Sequence, residues 1–141
     1  MNIKLVDTKE QLEDAYQVRS EVFIKEQNVP PEIEVDEHES EAVHFVGYLD
    51  EKPVAASRLR LLDDYGKFER ICVLKELRGK HYGQQIIQEM EDYLVSQKVK
   101  KAKLNAQTHA EEFYKRIGYE TISDEFMDAG IPHVTMIKEL S

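Results

Sequence analysis

The chain is poor in the features that mark several classes of protein. It has one cysteine, Cys72, so no internal disulfide can form, and a reducing, cytoplasmic setting is the simplest expectation. The N-terminus has no long apolar run, which predicts neither a signal peptide nor a membrane span. Positive charge is also scarce, since 19 Lys and Arg face 28 Asp and Glu for a net charge of -9. This balance argues against nucleic acid as a partner and is compatible with a cationic substrate such as an amine.

Repeats, low-complexity segments and linkers are also absent, and the 141 residues predict one domain that spans the whole chain, 1–141. A domain of this size buries enough surface to fold without a disulfide or a metal. The one carboxylate-rich stretch, residues 32–41, is conceivable as a metal site. Runs of carboxylates are mostly solvated, however, so no metal is expected.

Hydrophobic periodicity and turn residues predict the order of the elements. Thr8 and Gln11 form a capping-box pattern that starts a helix near Lys9, and Pro30 and Pro31 end that region. Three strands with tight turns form a predicted antiparallel meander, and strand, helix, strand then form a right-handed parallel crossover. The predicted strands are residues 3–6, 43–49, 54–62, 67–74, 101–107, 119–122 and 132–140, the later helices are residues 82–97 and 111–116, and residues 124–131 are a predicted loop.

Two charged residues fall on the apolar stripe of the first helix. Arg19 and Glu26 share this stripe with Leu12, Val22 and Phe23. Either their side chains lie at the edge of the core with their charged ends in water, or they form a polar pair that faces a cleft. The sequence leaves both interpretations open.

The most informative segment is residues 77–87, Leu-Arg-Gly-Lys-His-Tyr-Gly-Gln-Gln-Ile-Ile. It is a glycine-bearing loop that opens a helix, and such a loop leaves several backbone N–H groups directed at one point. Arg78 and Lys80 add positive charge there. The spacing is neither the dinucleotide-binding fingerprint nor a Walker loop. The pattern predicts an anion site, and phosphate is the usual anion.

This loop resembles the Arg/Gln-x-x-Gly-x-Gly/Ala loop of the GNAT N-acetyltransferase superfamily, with His81 standing where that family usually has its first glycine. The order of elements is similar too. Further stretches resemble a small bacterial branch that includes ElaA and YjcF. They are residues 19–27 (Arg-Ser-Glu-Val-Phe-Ile-Lys-Glu-Gln), 69–73 (Glu-Arg-Ile-Cys-Val), 105–107 (Asn-Ala-Gln), 113–119 (Phe-Tyr-Lys-Arg-Ile-Gly-Tyr) and 129–134 (Ala-Gly-Ile-Pro-His-Val).

The resemblance implies an α/β (α+β) fold. It implies a mixed, mostly antiparallel sheet of about six to seven strands, about four flanking helices, and a parallel β-α-β crossover that carries the coenzyme A loop. The implied activity is transfer of an acetyl group from acetyl-CoA to a primary amine by direct attack in a ternary complex, without a metal. The acceptor is a small-molecule or peptide amine, and no nucleic acid or membrane takes part. Homodimers are common in the superfamily, so a homodimer stays open.

The resemblance also assigns the cofactor contacts. The strand before the loop and its parallel neighbour separate, and the pantetheine arm bonds backbone groups of Ile71, Cys72 and Val73, with a backbone N–H near Val73 as the oxyanion donor. Asn105 lies near the sulfur. The pyrophosphate lies on the loop, formed by Arg78, Gly79, Lys80, His81, Tyr82, Gly83 and Gln84.

For catalysis, the resemblance places the Tyr114 hydroxyl near the sulfur, where a phenol can give a proton to the leaving thiolate. The general base has three candidates, Glu26, Glu69 and His133, or a water chain to one of them. Histidine is the residue type that ordinarily exchanges a proton near neutral pH. Phe23, Glu26 and Gln27 belong to the region that lines the acceptor side in the family.

Two other mechanisms or roles compete with this interpretation. A covalent acetyl-cysteine at Cys72 is disfavoured, because free cysteines are commonly buried and no histidine adjoins it in sequence. A non-catalytic sensor that binds coenzyme A or acetyl-CoA is the main alternative, since His81 departs from the loop pattern. An interaction domain without cofactor binding is disfavoured by the retained Arg78, Gly79, Lys80 and Gly83.

Overall fold

The structure is a computed structural model that describes residues 1–34 and 36–140. The strands are β1 Asn2–Leu5, β2 Val43–Leu49, β3 Lys52–Leu62, β4 Tyr65–Val73, β5 Lys101–Gln107, β6 Glu120–Thr121, β7 Phe126–Asp128 and β8 Ile131–Glu139. The helices are α1 Lys9–Arg19, α2 Pro31–Glu34, α3 Tyr82–Ser96 and α4 Glu111–Arg116, with a π-helix at Ser20–Glu26 and 3-10 turns at Glu39–Glu41, Lys75–Leu77 and Thr108–Ala110.

The strands form one mixed sheet in the order β1-β2-β3-β4-β5-β8-β6, and β7 also pairs with β8. Only β4 and β5 pair in parallel, joined through α3, whereas the other pairs are antiparallel. The predicted fold class, meander and parallel crossover are therefore confirmed. The sheet has 8 strands rather than the six to seven predicted.

The additional strand is β7, which lies where a loop was predicted. Phe126–Asp128 pairs with the start of β8 across a two-residue turn at Ala129 and Gly130, whose φ angles are 53° and 76°. Two consecutive positive φ angles match the twist of a hairpin. The prediction was wrong because Ala-Gly lacks the Asn or Asp that marks such a turn in sequence.

The first helical region starts as predicted and then changes its hydrogen-bond pattern. Thr8 Oγ1 accepts a hydrogen bond from the Gln11 backbone N–H at 3.1 Å, and Gln11 Oε1 accepts one from the Asp7 N–H at 2.8 Å. After Arg19 the chain continues as a π-helix to Glu26. The wider turn changes which side chains share a face, so the α-helical stripe does not hold beyond Arg19.

The two faces of the sheet carry separate cores. One face packs against α3 through residues such as Phe68, Ile86, Met90 and Leu104. The other face packs against α1 and the π-helix, through Ala15, Val18, Val22, Val46, Ala56 and Cys72. Across residues 1–34 and 36–140, no helix combines the length and the apolar content needed to span a membrane.

The strands β4 and β5 pair over a short distance and then separate. Their register covers only the pairs 66–102, 67–103 and 68–104. On its other edge β4 carries a β-bulge, because Glu69 faces Arg58 and Cys72 faces Ala56, which leaves two β4 residues opposite one β3 residue. Arg70 lies in this bulge with φ of 57°. The bulge and the early end of the pairing together open a gap in the middle of the sheet.

Candidate active site

A cavity of about 560 Å³ occupies the gap between β4 and β5. It brings together most of the residues predicted for the site from sequence. Those that line it are Phe23, Gln27, Glu69, Ile71, Cys72, Val73, Arg78, Gly79, His81, Tyr82, Gly83, Gln84, Asn105, Tyr114 and His133. Lys80 and Glu26 are not part of the lining.

The N-terminus of α3 opens into this cavity. His81 is the N-cap residue, its φ is 68°, and its side chain makes no capping hydrogen bond. The first turn of α3 contains no acidic residue. The first N–H groups of the helix therefore keep their partial positive charge for an anion. His81 adopts the left-handed conformation that a glycine takes without strain, which explains why the family pattern has glycine at this position.

The guanidinium of Arg78 is tied to the acceptor-side helix. It donates two hydrogen bonds of 2.7 Å to the two carboxylate oxygens of Glu26, and its Nε donates to the Val73 carbonyl at 3.0 Å. The hydrogen bonds from Arg78 lower the pKa of Glu26. Glu26 is thus an ionised partner of the loop arginine, which makes it a poor proton acceptor.

A second link joins the same helical region to the end of β5. The amide of Gln107 donates to Gln27 Oε1 at 2.9 Å, and its own oxygen lies 2.6 Å from His109 Nε2. Because Glu26 and Gln27 are consecutive, the end of the π-helix is bonded to the segment after β4 and to the end of β5. Gln107 and His109 both line the cavity. Roles for these two residues were not predicted, because the bond of Gln107 to Gln27 spans 80 residues, although Gln107 itself lies in the 105–107 stretch that resembles the family.

Tyr114 presents a hydroxyl without a partner to the cavity. Its side chain is buried in α4, with edge contacts to Phe113 and Tyr119. Within the described chain its hydroxyl makes no hydrogen bond. Burial raises the pKa of Tyr114 above the ordinary tyrosine value. The phenol therefore stays protonated at physiological pH and can donate to a ligand atom that enters the cavity.

Two polar residues on β5 and β8 also line the cavity. Asn105 Oδ1 accepts a hydrogen bond from the Thr135 hydroxyl at 2.8 Å, which directs the amide so that its N–H groups remain as donors. His133 Nδ1 lies 2.7 Å from the Ile131 carbonyl, and its ring stacks on Phe126. A carbonyl can only accept, so Nδ1 carries a proton, and in the neutral ring the lone pair is on Nε2. His133 faces Gln107 in the register of β5 and β8.

The carboxylate of Glu69 is occupied by arginines. It accepts hydrogen bonds from Arg58 at 2.7 and 3.0 Å and from Arg60 at 3.0 and 3.1 Å. Burial raises the pKa of Glu69, but the hydrogen bonds from Arg60 and the charge of Arg58 outweigh it and leave the pKa below the ordinary glutamate value. Because its carboxylate is held by hydrogen bonds from two arginines, Glu69 is better suited to a structural role than to that of the general base.

The other arginine contacts form a buried ionic network that the sequence did not predict. Arg19 is fully buried and donates to Glu34 at 2.6 Å and to Glu39 at 2.6 and 2.9 Å. Arg58 joins the same network through Asp36 and Glu39, each at 2.7 Å. Arg19 therefore does not extend into water, and it does not pair with Glu26. The network holds the carboxylate-rich segment against the sheet, apart from Val35, which lies outside the described residues.

Cys72 has the chemistry of a core residue. Its thiol is buried, with Sγ 3.7 Å from the Ala56 carbonyl oxygen. Burial raises the pKa of the Cys72 thiol to about 12. A thiolate nucleophile is therefore strongly disfavoured at neutral pH. In the described part of the chain, no three His, Cys, Asp or Glu side chains are grouped so as to hold a metal ion.

The separated parallel strand pair, the N-terminus of α3 and the Tyr114 hydroxyl, which makes no hydrogen bond within the described residues, are together typical of an acyltransferase cleft for a pyrophosphate-bearing thioester. Comparison with known proteins gives the same class. A family profile described as an acetyltransferase (GNAT) domain matches residues 7–140. The chain belongs to the GNAT family.

The sequence relatives match nearly the whole chain. A Bacillus subtilis (strain 168) protein named as an uncharacterized N-acetyltransferase, YjcF, is 50% identical over 140 residues, which are 99% of this chain and 100% of that one. ElaA of Escherichia coli (strain K12) is 31% identical over 135 residues, which are 92% and 88% of the two chains. The branch predicted from sequence is thereby confirmed.

Solved structures share the fold. The crystal structure of Escherichia coli ElaA superposes with a TM-score of 0.85 at 24% identity, over 99% of this chain and 100% of that one. An aminoglycoside 6'-N-acetyltransferase complexed with coenzyme A superposes with a TM-score of 0.80 at 14% identity, over 99% and 97% of the two chains. These structures show the fold, and the family match and the sequence relatives identify the chain as an acetyl-CoA-dependent N-acetyltransferase.

Proposed function

We propose that this protein moves the acetyl group of acetyl-CoA to a primary amine by direct attack within a ternary complex. The observation that carries the proposal is the single cavity that joins the N-terminus of α3 to the Tyr114 hydroxyl through the gap between β4 and β5. A thioester with a pyrophosphate at one end and its sulfur at the other fits both ends of this cavity. The cytoplasmic setting expected from the single cysteine belongs to the same proposal.

The cofactor is held mainly by main-chain groups. The pyrophosphate would lie on the α3 N-terminus, with the loop from Arg78 to Gln84 around it. The pantetheine arm would run along β4 as an added strand, using backbone groups of Ile71, Cys72 and Val73 that have no β5 partner. This placement puts the thioester beside Asn105 and Tyr114, which line the cavity from β5 and α4.

The reaction needs three proton or charge movements. The acceptor ammonium loses a proton, and the nitrogen lone pair then attacks the thioester carbonyl carbon. The tetrahedral oxyanion is stabilised by a backbone N–H of the Ile71–Val73 segment. The C–S bond then breaks, Tyr114 gives its proton to the sulfur, and the amide nitrogen returns a proton to the phenolate directly or through water. The products are the acetylated amine and free coenzyme A.

Among the three candidate bases, His133 fits best. Glu26 and Glu69 are both engaged by arginines and have a lowered pKa. The Nε2 lone pair of His133 is left available by the bond between Nδ1 and the Ile131 carbonyl. We assign His133 as the base that accepts the ammonium proton, directly or through one water.

The amine acceptor is a small molecule or a peptide. One structural neighbour is an aminoglycoside 6'-N-acetyltransferase, but its 14% identity carries only the fold to this chain. Phe23 and Gln27 line the acceptor side of the cavity from the π-helix and the residue that follows it.

The proposal is tested by measuring coenzyme A release from acetyl-CoA with a panel of primary amines. Amine-dependent release with stoichiometric amide formation supports it. Acetyl-CoA binding without turnover on any amine would instead establish a non-catalytic sensor. Intersecting initial-rate patterns, together with retained activity in Cys72→Ala, support direct attack, whereas parallel patterns and an inactive Cys72→Ala would require an acetyl-cysteine.

A further inference from the structure

Three cationic residues stand side by side across the sheet at the closed end of the cleft. Arg60 on β3 faces Lys67 on β4, and Lys67 faces Lys103 on β5. Residues directly opposite in neighbouring strands project to the same face, and like charges in that arrangement destabilise a sheet. The arrangement is unexpected in a chain with a net charge of -9. An anionic ligand at this position would offset the repulsion between the three cations.

The protein supplies two carboxylates near this row of three cations, Glu69 and Asp128. Arg60 shares the carboxylate of Glu69 with Arg58, and the Lys103 ammonium lies 5.1 Å from the centre of the Tyr65 ring. The Lys67 Nζ is 3.9 Å from Glu69 Oε2 and, within residues 1–34 and 36–140, makes no hydrogen bond. Neither lysine of the row makes a hydrogen bond within the described residues, and of the two only Lys67 lines the cavity.

Lys67 also faces the cleft. It lines the cavity together with Asp128, and its side chain is only 22% exposed. Burial lowers the pKa of Lys67, and the charges of Arg60 and Lys103 lower it further against the opposing charges of Glu69 and Asp128. A ligand anion near Nζ would relieve this repulsion and restore a full partner to the ammonium.

The position of Lys67 indicates which ligand brings the anion. The pyrophosphate site is at the other end of β4, beyond Val73, so the cofactor phosphates lie elsewhere. At about 3.3 Å per strand residue, roughly 10–13 Å of strand separates Lys67 from Ile71, near which the thioester would lie. The remaining ligand in this part of the cleft is the acceptor.

We propose that the acceptor amine carries an anionic group, such as a carboxylate, several bonds away from its amine, and that Lys67 binds this group. The inference rests on the proposed function. It predicts acceptors of the ω-amino acid type over simple alkyl amines and over diamines, because a second cation would meet the row of three like charges.

The experiment compares acceptors that differ only in charge. Values of kcat/KM are measured for 6-aminohexanoate and 6-aminohexanamide, and 5-aminopentylphosphonate distinguishes a phosphonate from a carboxylate preference. We expect a preference of at least about ten-fold for an anionic acceptor over the amide, which is the effect of one charge-assisted hydrogen bond. In Lys67→Gln, the ratio of kcat/KM for the anionic acceptor to kcat/KM for the amide should fall toward one. The preference persists in Lys101→Gln, a control on the same strand face whose lysine does not line the cavity.

The outcomes separate the inference from the proposed function. Equal rates for acid and amide in the wild type would overturn the anionic acceptor and leave acetyl transfer standing. A preference that survives in Lys67→Gln would overturn the assignment to Lys67. Failure to acetylate any of these amines or an unbiased amine panel, with acetyl-CoA still bound, would overturn the proposed function and this inference with it. Lys67→Glu provides a second variant, in which the preference should move toward 1,6-diaminohexane.

Discussion

Glu26 and Arg78 are 52 residues apart in the chain, and their side chains form two hydrogen bonds of 2.7 Å across the mouth of the cofactor cleft. The arginine belongs to the loop that would hold the pyrophosphate, and the glutamate ends the π-helix on the acceptor side. An anion that binds Arg78 must therefore compete with Glu26. This relationship couples the two halves of the site.

Glu26→Gln should tighten acetyl-CoA binding. Removal of the carboxylate charge frees Arg78 for the pyrophosphate, and because such a partly exposed pair is worth about 0.2–1 kcal/mol, we expect the Kd to fall by up to about five-fold. Isothermal titration with acetyl-CoA measures the change. Glu21→Gln, on the exposed side of the same π-helix, is the control. Weaker binding in Glu26→Gln would mean that the glutamate instead holds Arg78 in its binding position.

Tyr114→Phe should lower turnover without loss of stability. The hydroxyl has no hydrogen-bond partner in the described chain, so its removal costs the fold nothing, while loss of the proton donor should reduce kcat by about 10²-fold or more. Steady-state kinetics and thermal unfolding report the two effects separately.

Tyr119→Phe is the matched control for that variant. Its hydroxyl donates to Glu91 Oε2 at 2.8 Å within the core, and Tyr119 does not line the cavity. We expect a loss of about 1 kcal/mol in the free energy of unfolding and an unchanged kcat. An unchanged kcat in Tyr114→Phe would remove the tyrosine from the mechanism.

The fold was predictable because its determinants are local. The capping pattern at Thr8, the alternation along the meander and the glycine-bearing loop before α3 each depend on a few neighbouring residues. The two failures also have local causes. The turn at Ala129 lacks the usual hairpin residues, and the π-helix after Arg19 depends on a hydrogen-bond pattern that hydrophobic periodicity does not report.

The candidate site was predictable where it follows the family motif and unpredictable where it depends on distant pairs. The loop residues and Tyr114 were recognised from short sequence stretches. The ionic network was not, because Arg58 meets Asp36 across 22 residues and Arg19 meets Glu34 across 15. Carboxylates that looked solvated in sequence, such as the buried Glu34, are the partners of buried arginines. Sequence spacing alone contains no information on such pairings.

Gly83→Asp should block the cofactor while sparing the helix. A Cβ at Gly83 would lie 3.9 Å from Phe113 and from Val73, an ordinary contact. A carboxylate in the first turn of α3 suits the helix dipole, so the melting temperature should hold or rise slightly. The same charge repels the pyrophosphate. The upward shift in melting temperature with acetyl-CoA should disappear in Gly83→Asp and remain in Gly83→Ala, and a shift in both would mean that the phosphates lie elsewhere.

His81→Gly should be more stable than His81→Ala. The φ of 68° at this position costs an L-residue roughly 1–2 kcal/mol, a strain that glycine lacks and alanine keeps. Glycine loses part of the gain, about 0.4–1 kcal/mol, through greater freedom in the unfolded chain. Denaturant unfolding of the two variants measures the difference, because both lack the imidazole. Equal stabilities would show that the loop relaxes out of the left-handed conformation.

Asp36→Asn should flatten the loss of stability in acid. Burial raises the pKa of Asp36, but the hydrogen bonds from Arg58 and from the His38 backbone N–H outweigh it and lower the pKa from 3.8 to about 2. A carboxylate whose pKa is lower in the folded state stabilises the protein at pH values above its pKa in the unfolded state. This contribution is lost as the pH falls from 3.8 toward 2. Denaturant unfolding across this range should show a steep fall in the wild type. Asp36→Asn should be less stable by about 1 kcal/mol near neutral pH, after allowance for solvent screening, and should fall less in acid. Asp64→Asn, in the exposed turn between β3 and β4, is the control and should retain the wild-type dependence of stability on pH. If Asp36→Asn also retained the wild-type dependence, the acid sensitivity of the network would come from its other carboxylates.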